Sequence, residues 1–133
     1  MQLTNITTGQ TLTLSHDLLW TDEYHWSPQV ATVNYSLSGA LLIETATRQA
    51  GRPISLQAPD DAMAWHPRTT VDTLYAWASV PGQQLHLIFD DGRSFQVLFG
   101  WADGAVIESR PVAGFPSYTA DEDMHLSIKF ITI

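Results

Sequence analysis

Apolar and polar residues alternate with a period of two over most of this chain. Met124, Leu126, Ile128 and Phe130 are separated by His125, Ser127 and Lys129, the pattern of a strand with one buried face. The same alternation runs through 30–37, with Val33, Tyr35 and Leu37 on one face. After a turn at Ser38-Gly39-Ala40 the chain returns as Leu41-Leu42-Ile43-Glu44-Thr45-Ala46. Shorter strands are expected on both sides of Thr7-Thr8-Gly9-Gln10, at Ile54-Ser55-Leu56-Gln57 and at 105–112. Residues 17–28, 47–53, 58–66, 101–104 and 113–120 read as loops or turns, marked by Gly, Pro and clustered polar residues.

One interval changes period. After Pro67, Val71, Leu74, Tyr75 and Ala78 fall at i, i+3, i+4 and i+7, one helical face, and Pro81-Gly82 ends the run. The spacing predicts a helix over about 69–80. Thr69-Thr70-Val71-Asp72 has the form of a capping box with Asp in place of the usual Glu. Trp77 falls off this face and is expected at the edge of the core or against a partner. Next come Leu85-His86-Leu87-Ile88-Phe89 and Ser94-Phe95-Gln96-Val97-Leu98-Phe99, joined through Asp90-Asp91-Gly92-Arg93, a strong hairpin signal. A three-residue loop with Gly92 left-handed pairs Leu87 with Phe95 and Leu85 with Val97. It places Leu85, Leu87, Phe89, Phe95, Val97 and Phe99 together, and register follows the buried face.

About eight strands and one helix in 133 residues predict one β-rich domain over 1–133. The expected architecture is an antiparallel sandwich or barrel-like fold with the helix on its flank. The chain has no cysteine, which excludes disulfides and thiolate metal sites. A net charge of −8, with six basic residues scattered singly, argues against nucleic-acid binding, which needs clustered Lys and Arg. No apolar run is long enough for a membrane helix, and the first residues lack a basic segment followed by an apolar core, so neither membrane insertion nor export by the usual route is expected.

Candidate chemistry is sparse. His16 with Asp17, and Asp22, Glu23 and His25, are the local N/O clusters, but neither has a recognised ligand spacing. His66 and His86 read as structural. There is no Gly-x-Ser-x-Gly elbow, and the acidic pairs Asp60-Asp61 and Asp90-Asp91 are sequence neighbours rather than opposed groups. No enzyme, cofactor or metal site is expected. Five tryptophans, Trp20, Trp26, Trp65, Trp77 and Trp101, suit either packing, interface anchoring or a sugar-stacking platform.

Gly39-Ala40-Leu41-Leu42-Ile43-Glu44, the run GRPISL at 51–56, the helix at 69–80 and the run DDGRSF at 90–95 resemble, in order, small tail proteins of long-tailed bacteriophages and prophages. They are similar to the ring-forming domain of distal tail proteins, over about residues 30–112. The resemblance implies a β-sandwich or barrel flanked by one helix. It also implies assembly into a ring, usually hexameric, with itself and other tail proteins as partners, within a virion tail built in the host cytoplasm. On that reading the Asp90, Asp91 and Arg93 loop is a candidate subunit contact, and Trp77 and Trp101 are candidate aromatic contacts. A carbohydrate-binding β-sandwich using exposed tryptophans is the alternative.

Overall fold

The computed structural model describes residues 1–101 and 104–133. Among them the elements run β1 (Gln2–Asn5), β2 (Thr11–Thr13), β3 (Leu19–Trp20), β4 (Gln29–Tyr35), β5 (Leu41–Thr47), β6 (Pro53–Gln57), β7 (His66–Pro67), α1 (Arg68–Ala78), β8 (Leu85–Ile88), β9 (Ser94–Phe99), β10 (Ile107–Pro111) and β11 (Asp123–Thr132). The fold is mainly β with one helix, as the alternation predicts. Eleven strands exceed the expected eight or so. Two of them, β3 and β7, are two-residue pieces too short to show any alternation. The turn expected at 101–104 lies partly outside the described residues.

Nine strands form one antiparallel sheet in the order β2-β1-β8-β9-β11-β6-β3, with β10 and β7 also on β11. Seven strands laid flat would place β2 and β3 roughly 29 Å apart. Yet only residues 14–18 join those two strands, and such a connection reaches at most about 22 Å. The sheet must therefore curl, and the curl closes a core. Leu14 and Leu18 on the joining segment are themselves buried in it. The remaining centre is Leu3, Ile54, Leu56, Leu85, Leu87, Val97, Leu126, Ile128 and Phe130, each almost wholly buried.

β11 joins the sheet together. Its first half pairs with β10 and β7, its second half with β9 and β6. The buried residues Met124, Leu126, Ile128 and Phe130 are those of the predicted alternation.

Hairpin β8–β9 has the predicted register, Leu85 opposite Val97 and Leu87 opposite Phe95. The loop closes with Phe89 N–H donating to Arg93 O at 2.8 Å, and Gly92 takes φ +93°.

The helix differs from expectation in two respects. It begins at Arg68 after Pro67, and no side chain caps it. The Arg68 and Thr69 N–H groups instead donate to the backbone carbonyls of Glu122 (2.9 Å) and Ala120 (3.1 Å), so the loop before β11 satisfies donors that the Thr69–Asp72 box was expected to serve. The buried stripe is Val71, Leu74, Trp77 and Ala78. Trp77 is 6% exposed and Tyr75 67%. The larger, more apolar ring takes the core position at i+3 from Leu74, and the stripe rotates accordingly.

The helix start is tied to the strand side by ions. Arg68 contacts Glu122 at 2.6 Å, and Glu122 also accepts the Ser117 N–H at 2.9 Å. The Ser117 N–H first, and the Arg68 guanidinium after it, hold the Glu122 carboxyl below the usual range. On the opposite side His66 is 3% exposed. Its Nε2 accepts the Ser15 N–H at 2.9 Å, so Nδ1 carries the proton toward Ala64 O at 3.1 Å. Burial lowers its pKa, and the ring is a neutral bracket between the 14–18 segment and the helix entry.

Candidate functional site

β4 and β5 form a two-stranded sheet of their own, outside the main sheet. Residues 29–47 carry a single charge, Glu44, and all fourteen strand residues are exposed. The turn is well made: Ser36 N–H donates to Ala40 O at 2.8 Å, and Gly39 takes φ +86°. Direct pairing places Val33 opposite Ile43 and Tyr35 opposite Leu41. Residues opposite one another share a face, so one face is Val33, Tyr35, Leu41 and Ile43 toward the tip, with Ala31 and Thr45 behind. The other face mixes Val30, Thr32, Asn34, Leu42, Glu44 and Ala46. Val33, Tyr35, Leu41 and Ile43 are 56%, 75%, 50% and 57% exposed, and Leu37 at the tip is fully so.

An isolated two-stranded hairpin is marginal in water, and every strand residue of this one is exposed. Covering the four apolar side chains of its better face would contribute roughly 3–6 kcal/mol. It is an arm whose better face is apolar and exposed.

The base of the arm is fixed to the body on both legs. On the second leg, Gly51 N–H donates to Thr132 O (3.0 Å), Thr132 N–H to Arg52 O (2.9 Å) and Arg52 N–H to Thr132 Oγ1 (2.9 Å). The Arg52 guanidinium lies over the rings of Trp20 (4.4 Å) and Trp26 (5.9 Å) and donates to Glu23 O at 2.7 Å. Trp20 in turn stacks on Phe89 at 5.2 Å and meets Phe95 edge-on. The result is a continuous stack from the β8–β9 hairpin through Trp20 and Arg52 to Trp26, just before the first leg. The two legs also meet directly, Arg48 N–H donating to Pro28 O at 2.6 Å.

No family model, curated protein or solved structure matches this chain. Function therefore rests on what these surfaces can do.

The residues singled out from the sequence are placed as follows. Asp91 and Arg93 are engaged with their own chain: Arg93 contacts Asp91 at 2.7 Å and Glu23 at 2.6 Å. The Arg93 backbone N–H and then its guanidinium keep Asp91 below its ordinary pKa, and the Glu23 hydrogen bond raises that of Arg93. Asp90 accepts from the Met1 amino group. The loop is exposed at its tip, but its charges are paired within the chain, Arg93 with Asp91 and Glu23 and Asp90 with the Met1 amino group. Trp77, buried in the core, presents no ring to a neighbour; Trp101 is 59% exposed and does. Of the other tryptophans Trp20 is buried, Trp26 half-buried and Trp65 44% exposed, so a stacking platform has only Trp65 and Trp101 to draw on. His16 and Asp17 approach to 3.4 Å at the surface. Among the described residues no group of three or more His, Asp or Glu converges as a metal site needs.

The arm was the surface missed by sequence reasoning. Its signal was present: nineteen residues with one charge and apolar side chains on both faces, which neither water nor a single core side explains.

Proposed function

We propose that this chain is a non-enzymatic structural protein of a bacteriophage tail, assembling into a ring at the tail tip or tube end and contacting other tail proteins. One observation carries the reading: a nearly uncharged hairpin arm is firmly rooted in the body and exposed along both of its strands. Contiguous exposed apolar surface of this kind marks an interaction site, and an arm that reaches beyond its own domain suits assembly better than binding of a small molecule. The β-rich body with one flanking helix is the architecture that the tail resemblance implies. The acidic balance of the chain suits a component past which DNA moves without adhering.

The test is the mass of the concentrated protein by light scattering, with negative-stain images of the same fraction. Closed rings or stacked tubes are expected. A chain that stays monomeric and also fails to enter tail particles when co-expressed with the neighbouring genes of its locus overturns the reading.

A further inference from the structure

The curled sheet has a seam. Among the described residues β2 and β3 stand at the two ends of the strand order, each paired with one strand only, β1 and β6 respectively. Residues 14–18 cross from one to the other, and Leu14 and Leu18 on that crossing are 1% and 5% exposed. Ser15 organises the crossing: its Oγ accepts the Asp17 N–H (3.1 Å) and its carbonyl the Leu18 N–H (3.3 Å). Both of those bonds stay inside the segment. Ser15 itself is held from outside, its N–H donating to His66 Nε2 at 2.9 Å, 51 residues away in sequence. Among the described residues this is the hydrogen bond that ties 15–18 to the rest of the chain, and its acceptor is a nitrogen that can take a proton.

The other side of the same ring meets strain. His66 Nδ1–H goes to Ala64 O at 3.1 Å. Ala64 is buried and takes φ +60°, a left-handed backbone unfavourable for a residue with a Cβ. Such strain persists only where the surroundings over-determine it, and it collects at switch regions.

We infer that His66 is an acid-sensitive latch on this seam: a proton at Nε2 turns the acceptor into a second donor, the Ser15 N–H loses its partner, and residues 14–18 lift away while the sheet stays paired. The lifted state exposes Leu14, Leu18 and the free edges of β2 and β3. The sheet survives the opening because the ladders β1–β8, β8–β9, β9–β11 and β11–β6 involve no residue of 14–18. Burial, ahead of the opposing Ala64 hydrogen bond, lowers the His66 pKa, so the ring is neutral and the latch closed at neutral pH. The charged and titratable groups on the surrounding elements have other engagements. On the crossing, His16 and Asp17 meet each other at the surface, 3.4 Å apart. On the loop before the ring, Asp60 and Asp61 are exposed. On α1, Arg68 is taken by Glu122 and Asp72 is exposed. On β11, Asp123 is exposed and His125 half-buried. Both nitrogens of the His66 ring are occupied by backbone groups, so a proton acts on the seam through that ring itself. The latch is independent of the tail reading above.

Native-state amide hydrogen exchange of the whole chain tests it, read as protection factors corrected for the intrinsic pH dependence of exchange. The Ser15 and Leu18 amides are expected to be less protected than those of Ile128 and Phe130, which β11 pairs on both sides, and to exchange at a rate that low urea does not change. Their protection is expected to fall by roughly tenfold per pH unit below 6.5, until the folded pKa of His66 is reached. In His66→Gln the side-chain oxygen still accepts from Ser15 and cannot titrate, so the fall is expected to disappear. His16→Gln and His125→Gln are expected to keep it. Protection at Ser15 and Leu18 that equals that of β11 and shares its urea dependence means that only global unfolding frees the segment, and it overturns the latch. So does protection that stays flat from about pH 7.5 to about pH 5. A fall that vanishes in His16→Gln or His125→Gln assigns the proton to another ring and overturns the latch as well, whether or not His66→Gln folds.

Discussion

Two hairpins in this molecule close with the same turn and meet opposite fates. Ser36 to Ala40 and Phe89 to Arg93 each span three loop residues, with glycine third and left-handed. β8–β9 then disappears into the core, whereas β4–β5 stands in solvent. The turn sets register in both, and it does not decide what the strands lie against. That is decided by the faces. β8–β9 gathers Leu85, Leu87, Val97 and Phe99 on one side, while β4–β5 spreads its apolar residues over two sides and couples to neighbours only at its base. Local chemistry builds a hairpin, and packing assigns its role.

The contrast can be broken most forcefully in the core. Leu87→Ala is expected to cost about 2–5 kcal/mol in urea unfolding, since Leu87 is wholly buried. Leu41→Ala, the same change on the arm, is expected to stay within about 0.5 kcal/mol of the parent while weakening self-association. Equal losses for both would mean that the arm packs on its own body. Next in size is the joint between the two regions. Arg52→Ala removes the guanidinium over Trp20 and Trp26 and is expected to cost about 1–2 kcal/mol. Limited proteolysis should then cut the 21–28 segment faster than in the parent. An unchanged cleavage rate would show that the stack does not hold the arm.

The paired turns sharpen the comparison further. A Cβ at Gly39 or Gly92 meets nothing within 4 Å, so alanine at either position adds only the left-handed backbone cost, about 1–2 kcal/mol. Gly92→Ala should lower global stability by that amount. Gly39→Ala should leave the global midpoint unchanged and speed amide exchange only in 29–47.

The smallest effects expected are in pH. His66 has a folded pKa below its free value of 6.5. The unfolded chain therefore binds its proton first, and stability falls as pH drops below about 6.5. Glu122 has a folded pKa below 4.5, so its contribution is complete above that value and is lost as pH falls through the folded one. His66→Gln should flatten the first part of the acid slope and Glu122→Gln the second, both read from thermal midpoints against pH.

What the sequence made legible follows the same division. The register of β8–β9, the alternation of β11 and the existence of α1 could be read because each is written locally, in a turn or a period. The capping of α1 could not, because backbone carbonyls about fifty residues away satisfy its first donors. The burial of Trp77 in place of Tyr75 was decided by which ring the core had room for. The Asp91 and Arg93 loop looked like an outward contact because its partner Glu23 lies 70 residues off in sequence. The isolation of the arm was hidden for the converse reason: an alternating apolar strand reads the same whether its face meets a core or nothing.

The central place of β11 also has a consequence for biosynthesis. The strand that bonds to β6, β7, β9 and β10 is made after all four. On the ribosome the earlier strands must wait for the partner that joins them. A nascent chain that has not yet reached residue 123 can pair β2-β1-β8-β9 and β3-β6 but cannot unite the two groups. The base of the arm, bonded to Thr132, is likewise anchored only once translation has delivered that strand.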